Sequence, residues 1–125
     1  MRKFEFKPWG WYLTIDEGSD YKVKKIYVKP KSRFSLQYHH KRDEYWTIIQ
    51  GSGIITYEKD GDEINQDVSS GDNFVIDMGT LHRMKGGDDG ITFIEVQRGV
   101  CDESDIVRIS AVSYTHLTLP TNDLV

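Results

Sequence analysis

The chain is predicted to be all-β, and three observations predict it. Short runs of β-branched and aromatic residues recur about every ten residues, each bounded by Gly, Pro, Asn or Asp. No window supports an amphipathic helix longer than two turns. The 11 glycines and 7 tyrosines suit many short strands joined by turns. At 125 residues the chain is the length of one domain, and no linker divides it. Short strands packed into one small domain imply a sandwich or a barrel.

The elements follow in order. Residues 21–29 are β-rich, and Pro30-Lys31-Ser32 closes them. Residues 33–39 alternate with period two. Residues 44–49 form a continuous β-prone run that ends at Gly51-Ser52-Gly53. Residues 53–58 and 63–68 flank Lys59-Asp60-Gly61-Asp62, where Asp60-Gly61 marks a hairpin. Residues 73–76, 81–84 and 91–97 complete at least seven expected strands in two sheets.

Composition excludes several function classes. With 38% hydrophobic and 29% charged residues, the chain can bury a core and is not a disordered protein. No apolar run approaches the ~20 residues of a membrane span. The first ten residues lack the apolar stretch of a signal peptide. A cytoplasmic protein without a membrane partner is expected. The single cysteine, Cys101, rules out an internal disulfide framework or a paired-cysteine metal site. A net charge of -4 without a basic tract gives no nucleic-acid surface.

Residues 111–125 break the style of the rest, with Asp123 their one charged residue. Val112 to Thr121 is identified as the in-frame translation of a transposase-type sequencing adapter, and Ala111, Asn122 and Val125 fit its flanking bases. The expected native domain is therefore 1–110, with 111–125 a non-native tail, and His116 is set aside.

The histidines that remain carry the chemistry. Gln37 and His39 are two apart, so on a strand they face the same side, and His40 faces the other. Glu44 opens the next strand beyond a charged turn, and His82 lies on a later strand just after a turn. Gln37, His39, Glu44 and His82 offer nitrogen and oxygen donors on rigid strands. That set suits a divalent first-row metal with positions left open for a substrate. His40 is read as a surface residue, Trp46 and Trp11 as core, and Lys22, Lys24 and Lys25 also fit a solvated strand face. Cys101 has no evident partner.

These residues resemble a known family. Gln37-x-His39-x4-Glu44-x6-Gly51 is similar to the first cupin motif, with Gln37 where His is usual. Gly71-x5-Asp77-x-Gly79-x2-His82-x3-Gly86 is similar to the second, with Asp77 and Gly86 in place of Pro and Asn. Lys7-Pro8-Trp9-Gly10, Ser35-Leu36-Gln37, Arg42-x-Glu44-x-Trp46, Gly79-Thr80-x-His82-Arg83, Ile94-Glu95-Val96-Gln97 and Asp105-Ile106-Val107-Arg108 narrow the likeness. They resemble the cupin domain of type II mannose-6-phosphate isomerases, usually the C-terminal part of bifunctional guanylyltransferase/isomerases. The likeness covers roughly residues 7–109. The family commonly carries His where Lys41 and Tyr45 stand here.

The resemblance implies a double-stranded β-helix, or jelly roll, and a homodimer. It implies interconversion of mannose 6-phosphate and fructose 6-phosphate in GDP-mannose and polysaccharide synthesis. It also implies a divalent metal, zinc first with manganese, iron or nickel compatible, held by Gln37, His39, Glu44 and His82. Arg42 is the candidate for phosphate contact or enediolate stabilisation, with Lys24 and Arg83 further phosphate candidates and Trp9 at the mouth. Lys41 is a candidate proton carrier if desolvated, with Asp43 and Tyr45 as alternatives. The Gly-rich phosphate loop of a nucleotidyltransferase does not appear, so guanylyl transfer is not expected from this chain. Two further readings stay open: a non-catalytic cupin that binds a sugar phosphate or nucleotide sugar beside a separate guanylyltransferase, and another cupin enzyme such as an epimerase or dioxygenase.

Overall fold

A computed structural model describes residues 3–109; the expected adapter-derived tail lies outside the described residues. Nine strands make up the structure: β1 Lys3–Lys7, β2 Gly10–Glu17, β3 Tyr21–Val28, β4 Leu36–Tyr38, β5 Arg42–Lys59, β6 Asp62–Ser69, β7 Asn73–Ile76, β8 His82–Gly99 and β9 Val107–Ile109. One path runs β1-β2-β3-β8-β4-β9, while β5 pairs with β6, β7 and β8. All these pairings are antiparallel, and the sheet curls into a jelly roll. Among the described residues no helix is long and apolar enough to cross a membrane.

The Asp60-Gly61 hairpin forms between β5 and β6 as its chemistry requires. Asp60 and Gly61 have φ of 54° and 84°, and Lys59 pairs with Asp62 across the two-residue loop. Both central residues of such a primed turn need positive φ, which Asp and Gly tolerate best.

The expected breaks at 51–53 and 85–90 are not strand ends. β5 and β8 are each 18 residues long and pair along most of their length, so one nine-stranded network replaces the two expected sheets. The register shifts between Ile48 and Gln50 and again between Gly51 and Gly53, which lets the strands bend without separating. Gly51 makes the bend possible. Its φ is 84°, and a Cβ there would sit 2.1 Å from the Gly90 carbonyl oxygen. β1, β2 and β9 add strands where the sequence pattern marked none.

Alternation then divides the barrel interior. Ile26, Val28, Phe34, Trp46, Ile48, Ile55, Met84, Ile91 and Phe93 bury its apolar part. The same inward rows continue as Lys24 on β3, Glu44 on β5 and Glu95 and Gln97 on β8, all buried. Burying these polar groups together requires that they pair with one another or with a ligand.

Candidate metal centre

Three strands deliver the cluster. His82, the first residue of β8, is registered with Gln37 on β4 and with Tyr57 on β5. Glu44 lies on β5 between Ile76 of β7 and Gln97 of β8. His39 follows β4 directly. His39, Glu44 and His82 are each no more than 3% exposed, and one ligand atom from each lies within 4.8 Å of the others.

Backbone contacts orient both imidazoles. His39 Nδ1 lies 2.7 Å from the Asp105 carbonyl oxygen, and His82 Nδ1 lies 2.9 Å from that of Thr80. A carbonyl only accepts, so each Nδ1 carries the proton and donates it. Each Nε2 then turns a lone pair inward, at 3.3 Å from Glu44 Oε2 for His39 and 3.5 Å from Glu44 Oε1 for His82. Burial, reinforced at His39 by the Arg42 charge, pushes both imidazoles down to about 4, so they are neutral at neutral pH.

Lone pairs facing a carboxylate call for a cation between them. On one side Arg42 supplies it, with Nε 3.0 Å and Nη2 2.9 Å from Glu44 Oε2, and Nη2 3.2 Å from His39 Nε2. On the other side Trp46 Nε1–H donates to Glu44 Oε1 at 3.1 Å, and His82 Nε2 faces the same oxygen as acceptor against acceptor. Two neutral imidazoles, each fixed by a backbone carbonyl, and one carboxylate fit a divalent first-row metal. Gln37 also lines the cavity, and its Nε2 donates to the Ser35 carbonyl at 3.1 Å. That bond leaves the amide oxygen as the atom Gln37 could offer to a ligand.

The cluster occupies one wall of a cavity of about 210 Å³. The adjoining wall, on β3 and β8, was largely missed by sequence reasoning. Two inward rows cross the sheet there, Lys22–Gln97–Glu44 and Lys24–Glu95–Trp46. Gln97 Nε2 donates to Glu95 Oε1 at 2.8 Å, and Gln97 Oε1 is buried without a hydrogen-bond partner among the described residues. Burial and the nearby Glu44 charge push the Glu95 carboxyl up to about 7. Lys24, 5% exposed, lies 3.0 Å from Glu103 and 4.1 Å from the centre of the Tyr12 ring. Lys24 is thus no solvated strand face.

The remaining sequence-predicted residues divide. Trp9 is buried, packs edge-on against Phe34 and lines the cavity, so it serves both packing and mouth. Lys41 is exposed and outside the lining, so the desolvation that a proton-carrying lysine needs is absent, which corrects that assignment. Arg83 lies half-buried on the face of β8 opposite His82 and Met84 and does not line the cavity; its phosphate role is corrected too. Asp43 accepts the Met78 backbone N–H, and Tyr45 is 39% exposed; neither lines the cavity. His40 is exposed and meets Tyr38 edge-on. Trp46 is core, as expected, and also binds Glu44.

A curled antiparallel sheet with a His/Glu/His cluster inside it belongs to the cupin class. Solved structures support the fold: oxalate decarboxylase from Bacillus subtilis superposes with a TM-score of 0.78 at 18% identity, over 90% of this chain and 31% of that one. The capsular polysaccharide assembling protein CapF from Staphylococcus aureus gives 0.77 at 19% identity, over 87% of this chain and 34% of that one.

Within that class the family is specific. Residues 1–111 match the model described as mannose-6-phosphate isomerase C-terminal, and the chain belongs to that family. It is 40% identical over 105 residues to the xanthan biosynthesis protein XanB of Xanthomonas campestris pv. campestris (strain B100), covering 82% of this chain and 22% of XanB. It is 37% identical over 105 residues to mannose-1-phosphate guanylyltransferase 2 of Escherichia coli O157:H7, covering 82% of this chain and 21% of that protein. The chain spans about a fifth of the length of these relatives.

Proposed function

We propose that this domain is a metal-dependent sugar-phosphate isomerase that interconverts mannose 6-phosphate and fructose 6-phosphate, in supply of GDP-mannose for polysaccharide synthesis. The observation that carries the reading is the buried His39/Glu44/His82 cluster, whose two Nε2 lone pairs converge on one carboxylate inside a cavity open to a small molecule. Family membership supports the substrate class.

His39, Glu44 and His82, with the Gln37 amide oxygen, would hold the metal; zinc suits this set, and manganese, iron or nickel are compatible. When bound, such a metal would supply Lewis-acid polarisation of a substrate carbonyl. Arg42 sets the Glu44 carboxylate by two of its nitrogens and adds a buried positive charge at the same point. Two carboxyls outside the cluster line the cavity, Glu95 and Glu103, and the buried Glu95 suits the proton-carrying role, since Lys41, Asp43 and Tyr45 do not line it. Trp9 and Phe34, packed edge-on, give the cavity part of its apolar lining.

Metal analysis of the purified protein, combined with a coupled assay from mannose 6-phosphate to fructose 6-phosphate, tests the reading. Stoichiometric metal and turnover that a chelator abolishes are expected. Bound metal with no conversion overturns the isomerase and leaves a cupin that only binds.

A further inference from the structure

We propose that Lys22 and Lys24 form the phosphate subsite of this cavity and that the Glu103 carboxylate occupies it in the ligand-free protein, as a tethered stand-in that an incoming phosphate monoester displaces. The proposal rests on the sugar-phosphate reading above and identifies where the phosphate binds.

Both ammonium groups converge on one oxygen. Glu103 Oε2 lies 2.9 Å from Lys22 Nζ and 3.0 Å from Lys24 Nζ, while Glu17 reaches Lys22 only at 3.8 Å. Lys24 is built into the wall: its side chain is 6% exposed and lies over the Tyr12 ring, so its charge calls for an anion beside it. Glu103 approaches from the other direction. It sits on the segment between β8 and β9, and its side chain is 54% exposed. A buried lysine and a partly buried one, met by a half-exposed anion from a connecting segment, form the arrangement an exchangeable ligand would show.

The segment does not depend on Glu103 for its position. The Asp105 carboxylate accepts the backbone N–H groups of His40 and Lys41, both at 2.9 Å. Asp102 Oδ1 accepts the Ser104 N–H at 2.9 Å and its hydroxyl at 2.8 Å. The Glu103 side chain can therefore rotate into solvent while Asp105 keeps His39 in its tautomer. Lys24, Tyr12 and Glu103 line the same cavity as His39, Glu44 and His82, so a phosphate held there places its sugar toward the cluster. A phosphate dianion brings more charge and more acceptor oxygens than the carboxylate it replaces. A neutral sugar cannot displace Glu103, so the stand-in also enforces the requirement for an anion.

The test is inorganic phosphate binding by calorimetry, on the unsubstituted protein, Glu103→Gln and Glu103→Ala, with folding checked by circular dichroism. If Glu103 fills the subsite nine-tenths of the time, both variants bind phosphate about tenfold more tightly. Adding Lys24→Met removes binding in every background. Unchanged or weaker phosphate affinity in either folded Glu103 variant overturns the proposal. The two readings fail separately: tighter phosphate binding without sugar turnover keeps the subsite and loses the isomerase, whereas turnover with unchanged phosphate affinity keeps the isomerase and loses the subsite.

Discussion

The two walls of the cavity solve the problem of buried polar groups in different ways. On the histidine wall every group is held by a partner that cannot leave: backbone carbonyls fix His39 and His82, and Arg42 and Trp46 fix Glu44. On the lysine wall the partner is a side chain from a connecting segment, half in solvent. The first arrangement presents lone pairs in a set geometry, as a metal requires. The second presents positive charge that a ligand can claim. The difference teaches that burial alone does not mark a rigid site; what matters is whether the partner is itself fixed, as a backbone carbonyl or a buried side chain is, or is a half-exposed side chain that can exchange.

The largest effect should come from the fixed wall. Glu44→Ala removes the carboxylate that ion-pairs with the buried Arg42 guanidinium and is expected to cost about 3–5 kcal/mol, because a buried charge loses its partner. Urea denaturation measures this, and metal analysis of the folded fraction should find no stoichiometric ion. An unchanged denaturation midpoint would show that Arg42 is not held as described.

Trp46→Phe is milder. It keeps the ring in the core but deletes the donor to Glu44, so a loss of about 1–3 kcal/mol is expected with metal content retained. Loss of metal would instead make the Trp46 bond part of the cation site.

Acid separates the walls further. Burial by itself would raise the Glu103 carboxyl, but Lys24 and Lys22 outweigh it and hold the group down to about 2. A lowered carboxylate contributes its stability in full above the ordinary 4.5 and loses it as pH falls through 2. The stability difference between the unsubstituted protein and Glu103→Gln should therefore be constant above pH 5 and shrink toward pH 2, with the size moderated by solvent at a half-exposed group. Denaturant titrations at stepped pH would read it, and a difference independent of pH refutes the ion pair.

Lys41→Ala should do least. Lys41 is exposed beside the buried Arg42, and loss of its side chain should alter turnover and stability by less than about twofold and 0.5 kcal/mol. A larger loss in kcat would return Lys41 to the reaction.

Legibility followed the same division. Gln37 and His39 could be placed together because a strand's period of two allows no other arrangement, and Asp60-Gly61 named its turn. Glu95 and Gln97 were hidden. In Ile94-Glu95-Val96-Gln97 ordinary alternation points the apolar residues inward, yet Glu95 and Gln97 are buried and Ile94 and Val96 only half-buried. The polar interior of a ligand cavity reverses the usual pattern, and a reading of that segment alone has no means of detecting the reversal. Two signals were available: Lys24, a charge in phase with the apolar Ile26 and Val28 on β3, and Glu95 and Gln97 themselves, in phase with Ile91 and Phe93 on β8. Gly51 misled for a related reason: it reads as a break, but here it permits a close crossing within a continuous strand.

Local pattern by itself determined the all-β class, the principal strands, the Asp60-Gly61 hairpin and the nearness of Gln37, His39 and Glu44, because each depends on spacings of a few residues and on backbone chemistry. Tertiary structure alone decided which polar residues share the cavity. Lys24 and Glu103 lie 79 positions apart, and Glu44 meets Gln97 only through the β5–β8 register. Those meetings depend on how a long sheet curls and where its bulges fall, which is settled by the packing of the whole barrel.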